Sequence, residues 1–451
     1  MTEKTLTRRD FIKTAAIGAT AFTIVPRLVL GKNGQMPPSE KLNIAGIGLG
    51  GMGYGDLQNF KGENIVALCD VDQNYAAAAF KEHPNATAYT DYRELLDKQK
   101  DLDAVFIATP DHTHAVIAAA AMRAGKHVYC QKPLTHDIYE ARKLAEIARE
   151  TKVCTQMGIQ YHSGEGIRLL REWIEAGAIG EVREVVAWST LTYYPAGHVW
   201  WSPRWLRRPT DTPAVPEGLN WDVWIGPAAM RPYHPAYHPK TWRAWLDFGS
   251  SMMGDRGVHT LDSVVWSLKL GLPESIEATS FDSNPDTYPL AVIVTFQFAA
   301  REKMPPVKVT WYEGLCPPRP AELEDGRPMG DPEGGILFYG SKGTIMSDYL
   351  AGSPRLIPER KMKELAVNHP PKTLPRVPGG HYAEWVRACK GDRKTGASFD
   401  YGAHLTEICQ LGNIAKRVDG RIRWDAANMR VTNNAAANQF VKTPYREGWS
   451  L

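Results

Sequence analysis

The sequence predicts an α/β protein in which a doubly wound parallel sheet is followed by an α+β domain with a large, mostly antiparallel open sheet. Three observations carry this. At residues 41–53 a short apolar run ends in a cluster of glycines, KLNIAGIGLGGMG. Apolar runs then alternate with helix-period segments to about residue 159, the pattern of βαβ units. Beyond residue 160 most apolar runs follow one another with only turn residues between them, as antiparallel strands do. At 451 residues the chain exceeds one ordinary core. The expected division is a leader and linker over 1–40, a first domain over 41–159, a second over 160–420, and a tail over 421–451 that packs back on the body.

Composition narrows the class. An apolar content of 43% with 23% charged residues describes a soluble globular protein rather than a disordered chain. The formal charge is +3, and residues 1–31 hold five cations (Lys4, Arg8, Arg9, Lys13, Arg27) against Glu3 and Asp10. The body is therefore formally neutral, which removes the basic surface that nucleic-acid binding requires. The six cysteines (Cys69, Cys130, Cys154, Cys316, Cys389, Cys409) form no CxxC pair. They read as buried free thiols, with disulfides left open.

The leader contains TRRDFIK at residues 7–13, which resembles the twin-arginine export signal. A weakly apolar stretch of twelve residues, Thr14 to Val25, is broken by Pro26 and Arg27. That is too short for the ~20 residues needed to span a bilayer, so an export signal and no membrane anchor is expected. The destination would be the periplasm. No clean A-x-A site follows, and cleavage is left open.

In the first domain Asn43–Gly46 reads as a strand, and Gly46-x-Gly48-x-x-Gly51 matches the dinucleotide fingerprint. The first glycine permits a tight turn, the second lets backbone approach a pyrophosphate, and the third allows close helix packing. The following helix would direct its positive end at the phosphates. A second apolar run, NIVALCD, ends in Asp70, 24 residues after Gly46. A carboxylate there would bond the adenosine ribose hydroxyls and repel a 2′-phosphate, which selects NAD over NADP. Two further strand–loop–helix units, DAVFIATPDHTHAVIAAAAMRAG and KHVYCQKPLTHDIYEARKLAEIARE, complete a Rossmann sheet.

The second domain opens with the helical HSGEGIRLLREWIEAGAIGEV and the strand VREVVAWSTL; later strands are SIEATSFDS, LAVIVTFQFAA and VKVTWYEG. Residues 195–248 are rich in aromatics: Trp200, Trp201, Trp205, Trp221, Trp224, Tyr233, Tyr237, Trp242 and Trp245. Any one of these belongs by default to a core. A segment so long is usually functional, and flat rings beside hydrogen-bonding groups suit a carbohydrate. Tyr193, Trp201, Trp242 and Arg243 are the candidate contacts.

A hydroxyl carbon loses hydride only when its O–H proton leaves at nearly the same moment, so the site needs a base and a group that stabilises alkoxide charge. Asp255-x-x-x-His259 places a carboxylate and an imidazole on one helical face. The bland alternative is a helix cap at Asp255 and a packed His259. His112 and His114 stand two apart without a third ligand motif, so no metal is expected.

Together GIGLGGMG, CDVD (69–72), ATPDHTH (108–114), GKHVYCQKP (125–133) and DRGVH (255–259) make the chain resemble the Gfo/Idh/MocA oxidoreductase family. The resemblance implies a catalytic set of Lys132, Asp255 and His259, with Lys132 polarising the reacting oxygen and His259 as acid/base. It implies NAD contacts from Met52, Thr109, Pro110, His112, His114, Gln131, Lys132 and Gln160, a carbohydrate substrate met by His162 and His259, and a dimer or tetramer. Asp262 is a candidate support for His259. One departure stands out: the usual Glu-Lys-Pro is Gln131-Lys132-Pro133 here, which removes a charge beside the lysine. Exported family members also include NAD-dependent glycosidases that oxidise transiently, so a redox-neutral hydrolase is the alternative, and a non-catalytic sugar-binding module a third.

Overall fold

A computed structural model describes residues 40–193, 205 and 207–451; the leader, Trp200 and Trp201 lie outside the described residues. The first sheet has strands β1 (Asn43–Ile47), β2 (Asn64–Cys69), β3 (Thr87–Tyr89), β4 (Ala104–Ile107), β5 (His127–Cys130) and β6 (Thr155–Met157). Their order is β3-β2-β1-β4-β5-β6, with every neighbour parallel. This is the doubly wound order, in which the winding reverses between β1 and β4 and leaves a crevice at the carboxyl ends. All four residues of β4 are buried, as in a sheet covered on both faces. The helix Asp111–Arg123 on one side is almost wholly buried. The helix Ile138–Thr151 is amphipathic and starts with a capping box, Asp137 accepting from the Glu140 N–H while Glu140 reaches back.

The second sheet is mixed and mostly antiparallel. It contains β7 (Val182–Ser189), β8 (Ser275–Phe281), β9 (Ala291–Phe298), β10 (Val307–Glu313), β11 (Gly334–Gly340), β12 (Gly343–Ser347), β13 (Arg355–Ile357), β14 (Arg421–Asp425) and β15 (Arg430–Val431). The order is β13-β12-β11-β7-β10-β9-β8-β14-β15, and β7 with β10 is its parallel pair. Along β9, Val292, Val294, Phe296 and Phe298 are buried while the residues between them are not, so one face packs inward. The long helix Phe399–Val418 lies against β8 and β9 and also reaches the helix Ile138–Thr151, joining the two halves into one compact unit over residues 42–451.

Three differences from the sequence reading have physical causes. Arg421–Asp425, read as the start of a polar tail, is strand β14: Ile422 and Trp424 are buried while Arg421 and Arg423 point outward. Two buried positions are too few to show a period. Cys316 is exposed, not buried. The Asp255 segment is a π-turn, Met253–Gly257, leading into the helix Val258–Ser267, rather than uninterrupted α-helix. Such turns recur at functional sites because they widen the helix locally.

The segment after residue 215 belongs to the second half by sequence but crosses back as a strap over the first sheet. Asn220 N–H donates to Val71 C=O (2.8 Å), Gln73 N–H donates to Gly218 C=O (3.2 Å), and the Asn74 amide donates to Glu217 C=O (2.8 Å). His238 Nε2 lies 2.7 Å from the Asp72 carboxylate. Among the described residues, no helix is long and apolar enough to cross a membrane.

Candidate active site

At the carboxyl ends of β1, β2 and β4 lies a cavity of about 360 Å³. Its inner wall is the glycine loop with Asp70, Tyr75, Thr109 and Pro110; its outer wall is the strap, through His238, Lys240, Trp242 and Arg243. Trp449 closes one end, with Arg93 over its ring at 4.8 Å. Gly48 has φ +81°, and a Cβ there would stand 2.7 Å from the Ala108–Thr109 backbone. Gly46 likewise has no room, its Cβ position lying 2.6 Å from the Phe106 ring. Gly51 does not have the packing role expected of it. It turns the chain at φ +56° beside Tyr75, while Gly53 brings the helix Met52–Leu57 against the loop, its Cβ position 1.8 Å from Gly48 C=O.

Asp70 stands at the end of β2. Its carboxylate accepts the N–H groups of Leu49 (2.6 Å) and Asp72 (2.9 Å), tying the glycine loop to the strand. Burial raises its pKa to about 6, against those two hydrogen bonds. A backbone cradle without room for side chains, a carboxylate at its rim and two cations opposite fit a dinucleotide. Asp70→Ala is expected to weaken NAD binding by about 1–3 kcal/mol, the scale of a lost charged hydrogen bond. Cofactor extracted from purified protein and quantified by mass spectrometry checks this; full occupancy in the variant contradicts it.

A second cavity of about 220 Å³ adjoins the first and shares Met52, Thr109, Trp242 and Arg243 with it. Lys132, Asp255 and His259 meet here, together with His114, Gln131 and Gln160. The Lys132 ammonium donates to the Asp255 carboxylate and, at 3.0 Å, to its backbone carbonyl. Among the described residues it has no other hydrogen-bond partner, so a third N–H is left for a ligand oxygen. Tyr193 is off the cavity surface; its hydroxyl donates to Asp255 at 2.5 Å and so braces the carboxylate from behind. Burial opposes ionisation of Asp255, but the charges of Lys132, Arg243 and Arg256 outweigh it and hold the carboxyl far below its usual range. Burial lowers Lys132 despite its partner. Burial, then the Lys132 charge, pushes His259 well below the ordinary histidine value. His259 Nδ1 is buried with no partner among the described residues. His259 lines the cavity, and a neutral imidazole there, close enough to feel the Lys132 charge, can act as a proton acceptor.

Besides Tyr193, two more expected contacts lie elsewhere. His112 is off both cavities: Nε2 meets Trp224 C=O at 2.9 Å and the ring packs against Trp224 and Phe248. Burial lowers its pKa to about 3, and it serves to seat the strap. His162 is also buried off the cavities, bonded to Asp262 at 2.8 Å beside Tyr401 and Trp266. Asp262 thus supports His162 rather than His259. His114 reaches the cavity and spans the carbonyls of Thr109 and Pro133, 2.8 Å each. The sequence reading missed Asp111 and Arg256, which both line the catalytic cavity. Burial raises Asp111 to about 7. Its signal was present: it is the one charged carboxylate in ATPDHTH. Among the described residues no set of three or more His, Cys, Asp or Glu is arranged to hold a metal.

Comparison with known proteins shows the family and the fold. Residues 42–159 match the NAD-binding Rossmann fold of an oxidoreductase family, and residues 164–300 match that family's C-terminal alpha/beta domain. A levoglucosan dehydrogenase of Pseudarthrobacter phenanthrenivorans is 31% identical over 115 residues, 26% of this chain and 29% of that protein. An alpha-N-acetylgalactosaminidase of Shewanella oneidensis is 28% identical over 202 residues, 39% of this chain and 44% of that protein. The chain thus spans less than half the length of these curated relatives. The WlbA dehydrogenase of Bordetella pertussis, solved with NADH and UDP-GlcNAcA, shares the fold at a TM-score of 0.58 and 16% identity, over 85% of this chain and 99% of that one. The two matched domains cover more than half of the sequence, and the chain belongs to the Gfo/Idh/MocA family of NAD-binding oxidoreductases.

Proposed function

We propose that the protein oxidises a secondary hydroxyl of a sugar or glycoside and retains its NAD from one turnover to the next. The observation that carries this is the neutral, unbonded His259 beside the Lys132–Asp255 pair, in a cavity continuous with the dinucleotide cavity. Bound NAD supplies the hydride acceptor. The free N–H of Lys132 holds the substrate oxygen and stabilises negative charge on it as the C–H bond weakens. His259 takes the hydroxyl proton, which becomes far more acidic at that moment. Asp255, kept ionised and braced by Tyr193, fixes the position of the ammonium. Trp242 and Arg243 line both cavities, with the guanidinium 4.2 Å over the Trp242 ring, and this pairing of an aromatic surface with hydrogen-bond donors supports a polyol substrate.

The leader reading makes the site periplasmic, where no nicotinamide pool is maintained. A cofactor released there is lost, so it must be restored in place by a second carbonyl substrate. The likeness to the Shewanella glycosidase supports a second reading, in which transient oxidation permits elimination, and water addition with re-reduction follows.

One experiment separates them. Purified protein is given an aryl glycoside without added cofactor or acceptor. Oxidation is expected to stop at one keto-sugar per bound NAD, with absorbance at ~340 nm that falls when a carbonyl acceptor is added. Sustained phenol release with unoxidised sugar, and solvent deuterium at the carbon beside the transient ketone, would instead establish the hydrolase.

A further inference from the structure

The uncharged Gln131 has a carboxylate beside it after all, supplied from the other side of the crevice. Asp56, on the helix Met52–Leu57, is 1% exposed. One of its oxygens accepts from the Gln131 amide at 2.6 Å, and the other accepts from the Tyr382 hydroxyl at 2.6 Å. The Tyr382 oxygen accepts in turn from the Gln160 amide at 3.1 Å. Gln131 and Gln160 both line the catalytic cavity; Asp56 and Tyr382 do not.

The direction of every link follows from the inventory of donors. Burial raises the pKa of the Asp56 carboxyl to about 6, against the hydrogen bonds of Tyr382 and Gln131, so above that pH it is ionised, and an ionised carboxylate only accepts. Gln131 must therefore turn its NH₂ group to Asp56, and Tyr382 must spend its one hydroxyl proton there. With that proton committed, Tyr382 can only accept from Gln160. Both glutamines, each able to present either end of its amide, are locked with the NH₂ end inward. The Gln131 carbonyl oxygen accepts the Lys132 backbone N–H at 3.3 Å with one lone pair; its second lone pair and the Gln160 carbonyl oxygen are left as the acceptors available at the cavity. A site floor that offers acceptors selects a ligand that brings N–H donors. Sugar hydroxyls donate or accept with equal ease and need no such fixed polarity. The nicotinamide carboxamide has a rigid NH₂ group, and its orientation decides which face of the ring meets the substrate. We infer that Asp56 is a positioning residue that acts through Gln131 and Tyr382–Gln160 to orient the nicotinamide carboxamide.

The test uses 3-acetylpyridine adenine dinucleotide, which keeps the carbonyl and replaces the NH₂ by methyl. Purified full-length protein is incubated to equilibrium with equal excesses of NAD and the analogue, desalted and denatured, and the bound dinucleotides are quantified by mass spectrometry. No turnover is needed. Wild type is expected to hold NAD over the analogue by at least about tenfold, the worth of one hydrogen bond. In Asp56→Asn the new amide cannot accept from both neighbours, one link reverses, and the preference should fall to about threefold or less. Adding Gln131→Glu to Asp56→Asn restores an acceptor-only group to the pair, and the preference should return. Tyr382→Phe leaves Gln160 with the Tyr129 hydroxyl at 3.3 Å, which can donate or accept and so does not fix the amide's direction; it should give an intermediate ratio and serves as the deciding variant if Asp56→Asn does not fold. A wild type without preference, single variants that keep the wild-type ratio, or a double variant that fails to regain it would each show that the network only packs the floor.

Discussion

Lys132→Met is expected to reduce turnover by about 10³-fold or more while NAD stays bound. Methionine keeps the apolar stem and removes the ammonium. With it goes the one N–H still available to a ligand oxygen, and stabilisation of developing charge in a water-poor site is commonly worth 10²–10³-fold or more. A second loss adds to this. The Asp255 carboxylate would lose its nearest partner, keeping Tyr193 and the more distant charges of Arg243 and Arg256. Its pKa should rise, and removing one partner of a buried pair destabilises more than the pair stabilised. A lower melting temperature with retained cofactor is therefore part of the expectation. Steady-state rates beside cofactor analysis check it; a rate within tenfold of wild type would return Lys132 to a structural role.

His259→Gln should fold, hold NAD and lose at least about 100-fold in turnover, the usual contribution of a positioned base. Glutamine preserves bulk and hydrogen bonding and cannot take the proton. The wild-type pH profile carries a further check. An ordinary imidazole would be protonated, and useless as a base, below about pH 6.5. Burial and the Lys132 charge lower the pKa of His259, so its neutral form persists on the acid side and the rate loss assigned to it should lie well below 6.5. A His259-dependent inflection at or above 6.5 would mean that the imidazole is solvated or paired with a carboxylate, contrary to the geometry.

The sequence was most informative where backbone geometry dictates residue type. Gly48 must be glycine because Ala108 and Thr109 leave no room for a Cβ, and Asp70 is placed by a strand end that an apolar run makes visible. It was least informative about direction. His112 and His114 sit in one motif, yet two residues rotate a helix by about 200°, so one faces the cavity and the other the packing beneath the strap. His162 looked like a substrate contact because the family resemblance places substrate-side residues in MGIQYH; its own ring points to Asp262. Asp56 carried no signal, since its partners lie 75 and 326 residues away. Strands β11 to β13 went unread amid turn-rich sequence, where apolar runs are short.

The strap has one more consequence, which concerns time. A chain is made from its amino end, and Gly48 and Asp70 leave the ribosome early. His238, Lys240 and Arg243 follow some 170 or more residues later, and Trp449 about four hundred residues after Gly48. Until then the adenosine slot is an open ledge. Cofactor capture is thus a late event in biogenesis, completed only as the distal segments dock, and a folding fault anywhere along the second sheet would show itself as an empty protein. Under the proposed export route, which passes folded chains, loading would have to finish before departure, and the docked strap would mark a molecule ready to leave.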